Sequence, residues 1–392
     1  MTSPPPRGTR PSNRRELVRA AGAELFARHG YANVAVADIA DAVNMGPSAF
    51  YRHYAGKAEL LYDVVDAAFE DTLARLPAAT GAGLPGLIRV LAANALDNRL
   101  SGVLWQREAR ALDSADHARL RRKIQQANRW FAAELSAARP ELNTDQAELL
   151  AGCAMAVLTS VSFHRLTLPR AQFEELLAEL TLRVLRLDPD ADADPTPAPR
   201  RARCSGRGDR LIDAAVGLFA RNGYAAVSID DIGAAVGIAG PSVYHHFPSK
   251  HHILIEAMQR GHERLRADLL AATDGAHTAA DALRRVTDSY VDLALEQSDL
   301  VTTLIAESVH LTSGPLGREM HVAQREYIDD WVALVLARNP ADSSTVARIK
   351  VQAAQMVAND IGRTPALRRV PGLRATVRAA CWVVQESALP LA

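Results

Sequence analysis

The stretch that decides the fold is ELFARHGYANVAVADIADAV, residues 24–43, because it recurs as GLFARNGYAAVSIDDIGAAV at residues 217–236. The two stretches share twelve identical residues without a gap, and the same register continues to Tyr51 over Tyr244. Self-similarity at a fixed distance indicates that one structural unit occurs twice in the chain. The 392 residues therefore read as two copies of a single unit.

Each copy begins with an apolar pattern that ends at a glycine. Apolar residues recur at every fourth position up to Phe26 in the first copy and Phe219 in the second, and Gly30 or Gly223 follows four residues later. The period predicts a helix with one buried face. Glycine is common just beyond the end of a helix, so both glycines are predicted C-cap residues.

Two short helices separated by a tight turn are predicted next. Ser228 stands three residues before Asp231 and is a good N-cap, whereas Ala35 at the matched place offers no side-chain acceptor. Asn44 and Gly237 both tolerate the left-handed conformation that such a turn needs. A proline opens the helix that follows in both copies, at Pro47 and Pro241. The pattern is that of a helix-turn-helix inside a three-helix head.

Polar aromatic and cationic side chains crowd the end of this third helix, in GPSAFYRHYAGK (46–57) and GPSVYHHFPSK (240–250). Hydroxyl, imidazole and amine donors reach DNA phosphates and fix a helix in the major groove. A lysine at the start of the following helix adds to the positive helix terminus. The candidate DNA-binding residues are Gly46, Pro47, Ser48, Ala49, Tyr51, Arg52, His53, Lys57, Ser228, Gly240, Pro241, Ser242, Tyr244, His245, His246 and Lys250.

The formal net charge of zero conceals two basic segments. Residues 1–60 contain eight Arg and Lys against five Asp and Glu, and residues 200–260 contain the same numbers. Each predicted head is therefore positively charged, and the remaining chain is acidic. This distribution favours a nucleic-acid partner for the heads.

These motifs resemble those of the TetR family of bacterial transcriptional regulators: F-A-x-x-G-Y, then D-I, then the turn and Y-x-H-[FY]-x-x-K. The resemblance covers residues 14–70 and 207–263. It implies two helix-turn-helix heads, helical ligand-binding and dimerisation bodies, and repression that a small apolar effector relieves. Family members are normally homodimers of single units, whereas this chain contains two units.

The resulting prediction is an all-α chain that forms an intramolecular pseudo-dimer. The predicted domains are an N-terminal arm (1–13), a first head (14–70), a first body (71–187), a linker (188–206), a second head (207–263) and a second body (264–392). The apolar segments 149–163 and 344–361 are the expected interface between the bodies. A further association of two such chains into a homodimer with four heads stays open.

Aromatic and acidic residues of the bodies are candidates for an effector pocket, although aromatic residues at helical spacing also suit an ordinary core. The candidates are Trp105, Glu108, Trp130, Phe163, Tyr290, Glu307, His310 and Trp331. Glu108 and Glu307 occupy matched positions, and a capping or salt-bridge role suits them as well as a ligand contact does. The unequal third helices, with Arg52 against His245, predict two unequal DNA half-sites.

Other functional classes find little support in the sequence. No phosphate-binding loop, nucleophile elbow or metalloprotease motif appears, so the chain is not expected to be an enzyme. The neighbouring histidines of the second head lack a set of ligands for zinc, and no metal or cofactor is expected. The alternative is an interaction or effector-binding protein whose heads no longer bind DNA.

The cysteine content and the hydropathy of the sequence predict a cytoplasmic protein that does not cross a membrane. The three cysteines, Cys153, Cys204 and Cys381, are far apart and suit a reducing compartment. The amino terminus has no apolar signal region. The longest uncharged run, residues 149–163, is short for a membrane span and is predicted to be a buried helix.

Overall fold

The computed structural model describes residues 13–79, 81–189, 206–307 and 315–386. Within these ranges the regular structure is helical and contains no strand, which confirms the predicted all-α class. The predicted N-terminal arm and linker lie outside the described residues, apart from their ends.

The first copy consists of a head, built from its first three helices and the start of the fourth, and a body built from the remaining helices. The helices are α1 (Arg14–His29), α2 (Val36–Ala42), α3 (Pro47–Phe50), α4 (Lys57–Ala79), α5 (Gly83–Asp97), α6 (Ser101–Val103), α7 (Ser114–Ala138), α8 (Thr144–Thr159) and α9 (Arg170–Leu185). A 3-10 turn, Tyr31–Asn33, joins α1 to α2. A π-helical turn, Leu104–Glu108, continues α6.

The second copy repeats this order. Its helices are α10 (Arg207–Asn222), α11 (Ile229–Ala235), α12 (Gly240–Val243), α13 (Lys250–Thr273), α14 (Ala279–Glu296), α15 (Ser298–Ala306), α16 (Pro315–Arg338), α17 (Ser344–Arg363) and α18 (Leu373–Val383). The head-to-body boundaries expected at residues 70 and 263 fall inside α4 and α13. One continuous helix therefore leaves each head and enters the body.

The turn between the second and third helices has the same geometry in both heads. Asn44 has φ 52° and Gly237 has φ 75°, so both adopt the left-handed conformation predicted from the sequence. Each turn closes with two backbone hydrogen bonds that satisfy carbonyls at the helix end. The bonds are Asn44 N to Asp41 O (3.0 Å) and Met45 N to Ala40 O (2.9 Å) in one head, and Gly237 N to Ala234 O (3.1 Å) and Ile238 N to Gly233 O (3.0 Å) in the other.

Each head has an apolar core that extends into the body of its own copy, and the two bodies share another core. Phe26 and Phe50 are fully buried in the first head, as are Phe219 and Val243 in the second. The body core is a single cluster that contains residues from both copies. Removing this joint apolar surface from water is the main force that holds the halves together.

The joint core is organised around α8 and α17, which pack against each other, while α18 packs against α8 and α9. The two segments that the sequence predicted as an interface thus lie in contact. Arg183 at the end of α9 also donates to Glu386 O at 3.0 Å, beyond the end of α18.

The most apolar long helix is a core element in this arrangement. Residues 144–163 are long and apolar enough to cross a membrane by length and composition. Cys153, Ala154 and Val157 are nevertheless fully buried between the bodies. Packing against α17 accounts for the apolar composition of α8.

Candidate nucleic-acid interface and ligand cavity

The third helix of each head presents a tyrosine to solvent. Tyr51 is 58 % exposed and Tyr244 is 56 % exposed, which makes them the most exposed large apolar side chains in the described ranges. The preceding residues, Phe50 and Val243, are fully buried and anchor the short helices in their heads. Exposed aromatic residues on rigidly held helices are typical of binding surfaces.

The predicted DNA-binding residues fall into three groups by exposure. The exposed ones are Gly46, Pro47, Ser48, Tyr51, Arg52, Ser228, Pro241, Tyr244, His245 and His246. The half-buried ones are Ala49, His53, Lys57, Ser242 and Lys250, and Gly240 is buried. Most of the exposed residues lie at the turn and third helix of each head, and Ser228 lies at the start of α11. This is the surface that a helix-turn-helix would turn towards DNA.

The two surfaces differ at the start of the third helix. Pro47 of the first head is replaced by Gly240 in the second. The carboxylate of Asp230 occupies the space beside Gly240, because a Cβ built there would lie 1.7 Å from Asp230 Oδ1. The second head therefore needs glycine where the first accepts proline.

The two lysines have a structural role that the sequence analysis did not include. Lys57 Nζ donates to Tyr31 O at 2.7 Å and Val34 O at 3.0 Å. Lys250 Nζ makes the matching bonds to Tyr224 O and Val227 O, at 2.8 Å and 2.7 Å. Each ammonium group also lies 4.3 Å from the centre of a tyrosine ring. Burial lowers the pKa of both lysines.

This geometry disfavours the phosphate contact expected for Lys57 and Lys250. Each ammonium group already has two carbonyl acceptors and an aromatic face, and it joins the loop after the first helix to the start of the long helix. A phosphate oxygen would have to compete with these partners. The phosphate contact stays a prediction that awaits DNA.

The caps of the second helices differ as predicted. Ser228 Oγ accepts from Asp231 N at 3.1 Å, and Asp231 Oδ2 accepts from Ser228 N at 2.8 Å. In the first head Asp38 Oδ2 accepts from Ala35 N at 2.7 Å, but Ala35 has no side-chain acceptor to return the bond. The first head thus has half of the reciprocal pair.

Glu108 and Glu307 join the bodies to the heads. Glu108 Oε2 accepts from Tyr31 N at 2.7 Å, and Glu307 Oε2 accepts from Tyr224 N at 3.3 Å. Both carboxylates are buried. The sequence left open a capping or salt-bridge role and a ligand contact. The structure favours the first, because each glutamate caps the turn that follows the first helix of its head and also pairs with an arginine.

Two arginines beside Glu108 were missed by the sequence analysis. Arg107 Nη2 donates to Ala27 O at 2.6 Å and Phe26 O at 3.2 Å, at the end of α1. Arg110 Nη1 donates to Phe219 O at 3.0 Å, at the end of α10 in the other copy. The matched spacing of Glu108 and Glu307 was the only sequence signal for this junction.

A cavity of about 580 Å³ opens between the two copies. Its apolar wall comes from the second body and includes Leu265, Tyr290, Tyr327 and Met356. The opposite wall comes largely from the first copy. Five arginines and one glutamate line the whole cavity: Arg28, Arg99, Arg107, Arg165, Arg363 and Glu24. The volume lies in the range of small-molecule sites.

The predicted pocket residues separate into two groups. Phe163 and Tyr290 line the cavity. Trp105 instead stacks on His117 with 4.9 Å between ring centres, and Trp130 packs against the body core. Trp331 is 1 % exposed and donates to Gln385 Oε1 at 2.6 Å. Trp331 is therefore a core residue, whereas Trp105 and Trp130 are half-buried and pack against the cores. His310 lies outside the described residues.

The lining of the cavity includes a half-buried histidine beside an arginine. Arg99 Nη2 donates to His164 O at 2.7 Å and lies 3.0 Å from His164 Nδ1. Burial, together with the charge of Arg99, lowers the pKa of His164 to about 3. His164 is therefore neutral at pH 7. Its Nε2 is buried without a hydrogen-bond partner in the described part of the chain.

The amino-acid sequence is similar to those of known bacterial regulators. A family model described as "Bacterial regulatory proteins, tetR family" matches residues 18–64 and 211–257. The HTH-type transcriptional repressor KstR2 of Rhodococcus jostii is 30 % identical over 154 residues, which are 38 % of this chain and 73 % of the relative. The negative transcriptional regulator IcaR of Staphylococcus aureus is 32 % identical over 75 residues, which are 19 % of this chain and 40 % of IcaR.

Solved structures match one unit at a time. The ketosteroid transcriptional regulator KstR2 of Mycobacterium tuberculosis aligns with a TM-score of 0.42 and 18 % identity, over 46 % of this chain and 95 % of that one. AibR in complex with isovaleryl coenzyme A and operator DNA aligns with a TM-score of 0.36 and 19 % identity, over 39 % of this chain and 86 % of AibR.

Proposed function

This chain belongs to the TetR family of bacterial transcriptional regulators, and we propose that it is a cytoplasmic repressor whose two heads bind two unequal half-sites of one operator. It is a regulator rather than an enzyme, like its relatives. A small molecule bound between the two copies would release it from DNA.

The observation that carries the proposal is the pair of exposed third helices. Tyr51 and Tyr244 project from short helices that follow the same left-handed turn, and both heads match the family model. In a helix-turn-helix the second helix of the motif enters the major groove while neighbouring groups contact phosphates. Tyrosine hydroxyls at the helix end suit phosphate oxygens.

Unequal half-sites follow from the side chains that the two heads expose. Arg52 of the first head is matched by His245 in the second, and both are exposed. Arginine forms a two-bond contact with guanine that histidine does not reproduce. The preferred operator is therefore an imperfect palindrome.

The cavity suits an amphipathic effector rather than the wholly apolar one expected from the sequence. Its apolar wall is formed by Tyr290, Tyr327 and neighbouring residues of the second body. Arg99 and Arg165 line the other side. Arg165 is exposed, and Arg99 donates to the carbonyl oxygens of Val161, His164 and Leu166 rather than to a carboxylate. Burial lowers the pKa of Arg99. An anionic or acceptor-rich group would be attracted by the positive charges of these two arginines.

DNA binding is tested by gel shift with the DNA that flanks the gene of the protein. The wild-type chain should shift this DNA, and Tyr244→Ala should weaken the complex while circular dichroism shows an intact helical fold. Tyr62→Ala, in α4 outside the proposed surface, serves as the control. A chain that shifts neither this DNA nor any sequence selected from random DNA would favour an interaction protein with inactive heads.

Effector chemistry is tested by thermal shift of the full chain with decanoate and decanol. Both probes have the same apolar chain, and only decanoate carries a charge for Arg99 and Arg165. Decanoate should raise the melting temperature more than decanol does, and Arg165→Gln should reduce this difference. Equal shifts with the two probes would contradict an anionic ligand.

A further inference from the structure

The segment around Arg107 and Arg110 caps the first helices of both heads. Arg107 contacts the carbonyl end of α1 in its own copy. Arg110, three residues later, contacts the carbonyl end of α10 in the other copy, with bonds of 3.0 Å to Phe219 O and 3.3 Å to Ala220 O. The same carbonyl positions are thus capped in each head, but both arginines belong to the first copy.

We propose that Arg110 is a positioning residue that fixes the second head against the first body and thereby sets the half-site spacing that the protein accepts. This inference rests on the proposed operator binding. Arg110 does not contact DNA. It acts on the distance and orientation between the heads.

The contact of Arg110 with the end of α10 is rigid for chemical reasons. The last carbonyls of a helix lack partners within the helix and carry a partial negative charge, which a guanidinium compensates. Arg110 Nη2 also donates to Glu307 Oε1 at 2.9 Å, and the two side chains are only 13 % and 2 % exposed. Such a pair is held much more rigidly than an exposed salt bridge, because neither side chain is free to exchange its partner for water.

The second copy has no equivalent pair of arginines. If Glu108 is aligned with Glu307, then Ala306 takes the place of Arg107 and Val309 the place of Arg110. The end of α10 therefore receives its cationic cap from the other copy. The second head is therefore held by residues of both copies.

A fixed head-to-head geometry matters because DNA presents half-sites at fixed steps. Two heads on one face of a duplex need centres about 34–36 Å apart, and one added base pair also rotates the site around the helix axis. Heads on flexible connections can bind half-sites at several spacings. Heads that are fixed to a common segment can bind half-sites at one spacing only.

The first test measures the heads without DNA. Spin labels are placed at Asp41→Cys and Ala234→Cys, which are exposed and occupy matched positions in the two heads. Cys204→Ser removes a third attachment site, and Cys153 and Cys381 are buried. The wild-type background should give one narrow distance distribution by pulsed electron resonance. Arg110→Ala should broaden or shift it.

Arg139→Ala is the matched control. Arg139 also caps helix-end carbonyls, donating to Leu185 O at 2.8 Å and Leu187 O at 2.6 Å, and it pairs with Asp188. Its side chain is 15 % exposed, close to the value for Arg110, but all its partners lie in the first copy. It should leave the head-to-head distance unchanged. If Arg110→Ala fails to fold, Arg110→Leu combined with Glu307→Gln removes both buried charges together.

The second test uses operators that differ only in the spacing between half-sites. Wild-type protein should prefer one spacing, and one added or removed base pair should weaken binding by about tenfold or more. Arg110→Ala should reduce this preference to less than about threefold, whereas Arg139→Ala should retain it. An unchanged distance distribution or an unchanged spacing preference in the Arg110 variant overturns the inference. If the wild type binds no DNA, the proposed function fails, and the distance measurement still decides the role of Arg110.

Discussion

At the scale of single residues, the lysines after the third helices show how one side chain fits two explanations. Lys57 and Lys250 stand where a helix start and a phosphate would meet, yet each ammonium group binds two carbonyls of its own head. A phosphate contact and a structural contact have different experimental signatures, so a single substitution separates them.

Lys250→Ala is expected to destabilise the second head by about 2 kcal/mol, because two hydrogen bonds from a charged donor are lost. We expect the slope of log affinity against log salt concentration to remain unchanged, because the Lys250 ammonium group already has two carbonyl acceptors with which a phosphate would have to compete. Denaturant unfolding and gel shifts over a salt series measure the two quantities. Lys123→Ala, in a body, is the control for the salt slope. A slope that falls by about one unit would restore the phosphate contact.

His164 gives the body a pH-dependent stability. Its pKa is about 3 in the folded chain, because of burial and the charge of Arg99, and its ordinary value is 6.5. The unfolded chain therefore takes up the proton first as the pH falls. The contribution is fully present above pH 6.5 and is lost progressively towards pH 3. Between pH 7 and pH 5 the loss amounts to about 2 kcal/mol.

Replacement of the imidazole should remove this pH dependence. His164→Asn is expected to show a flatter decline in the free energy of unfolding between pH 7 and pH 5, whatever its absolute stability. Denaturant unfolding at a series of pH values gives the slope. His29→Asn, an exposed histidine in the first head, should keep the slope of the wild type. Equal slopes for His164→Asn and the wild type would contradict the lowered pKa of His164.

At the scale of elements, the two heads have the same helices but different N-caps on their second helices. Helix α11 has a complete reciprocal cap between Ser228 and Asp231. Helix α2 keeps only the bond from Ala35 N to Asp38. Both turns that follow are equally well formed. The difference between the heads thus lies at the start of the second helix and not in the turn.

Ala35→Ser should therefore stabilise the first head by about 1 kcal/mol, because it supplies the missing acceptor for Asp38 N. Ser228→Ala should destabilise the second head by a similar amount for the converse reason. Thermal unfolding of the two variants measures both changes. Each substitution is the control for the other, because Ala35→Ser gives the first head the cap of the second and Ser228→Ala gives the second head the residue of the first. A loss of stability with Ala35→Ser would show that a serine at this position does not form the N-cap hydrogen bond to Asp38 N.

At the scale of the whole molecule, the shared core ties both copies into one body. A single apolar cluster contains α8 and α17 from opposite copies. The covalent connection makes their association intramolecular, at an effective concentration of about the millimolar order. A fused pair therefore avoids the dissociation on dilution that limits a dimer of separate chains. It also frees the two heads to differ in sequence.

One chain is accordingly expected to bind one operator. Native mass measurement should show one chain of 42.3 kDa on a single duplex, at concentrations where separate dimers dissociate. A duplex with only one half-site intact should bind the same single chain more weakly. Two chains on one operator, with heads that pair between chains, would contradict the pseudo-dimer.

The sequence by itself determined the duplicated unit, the three-helix heads and the exposed tyrosines. These features depend on neighbouring residues. An apolar period defines a helix, Asn44 or Gly237 permits the left-handed turn, and Phe50 or Val243 before the tyrosine decides which side faces inward. Because these features depend only on residues that are close in the sequence, both copies of the repeat form them.

Only the tertiary structure decided the roles that depend on distant partners. In the sequence, Lys250 is a cation at a helix start, and only the loop folded against it supplies the carbonyls. Trp331 and Tyr290 are both aromatic residues in body helices, but one fills the core and the other lines the cavity. Arg110 and Phe219 are more than a hundred positions apart. No local pattern encodes their contact, because it exists only once the two copies have packed together.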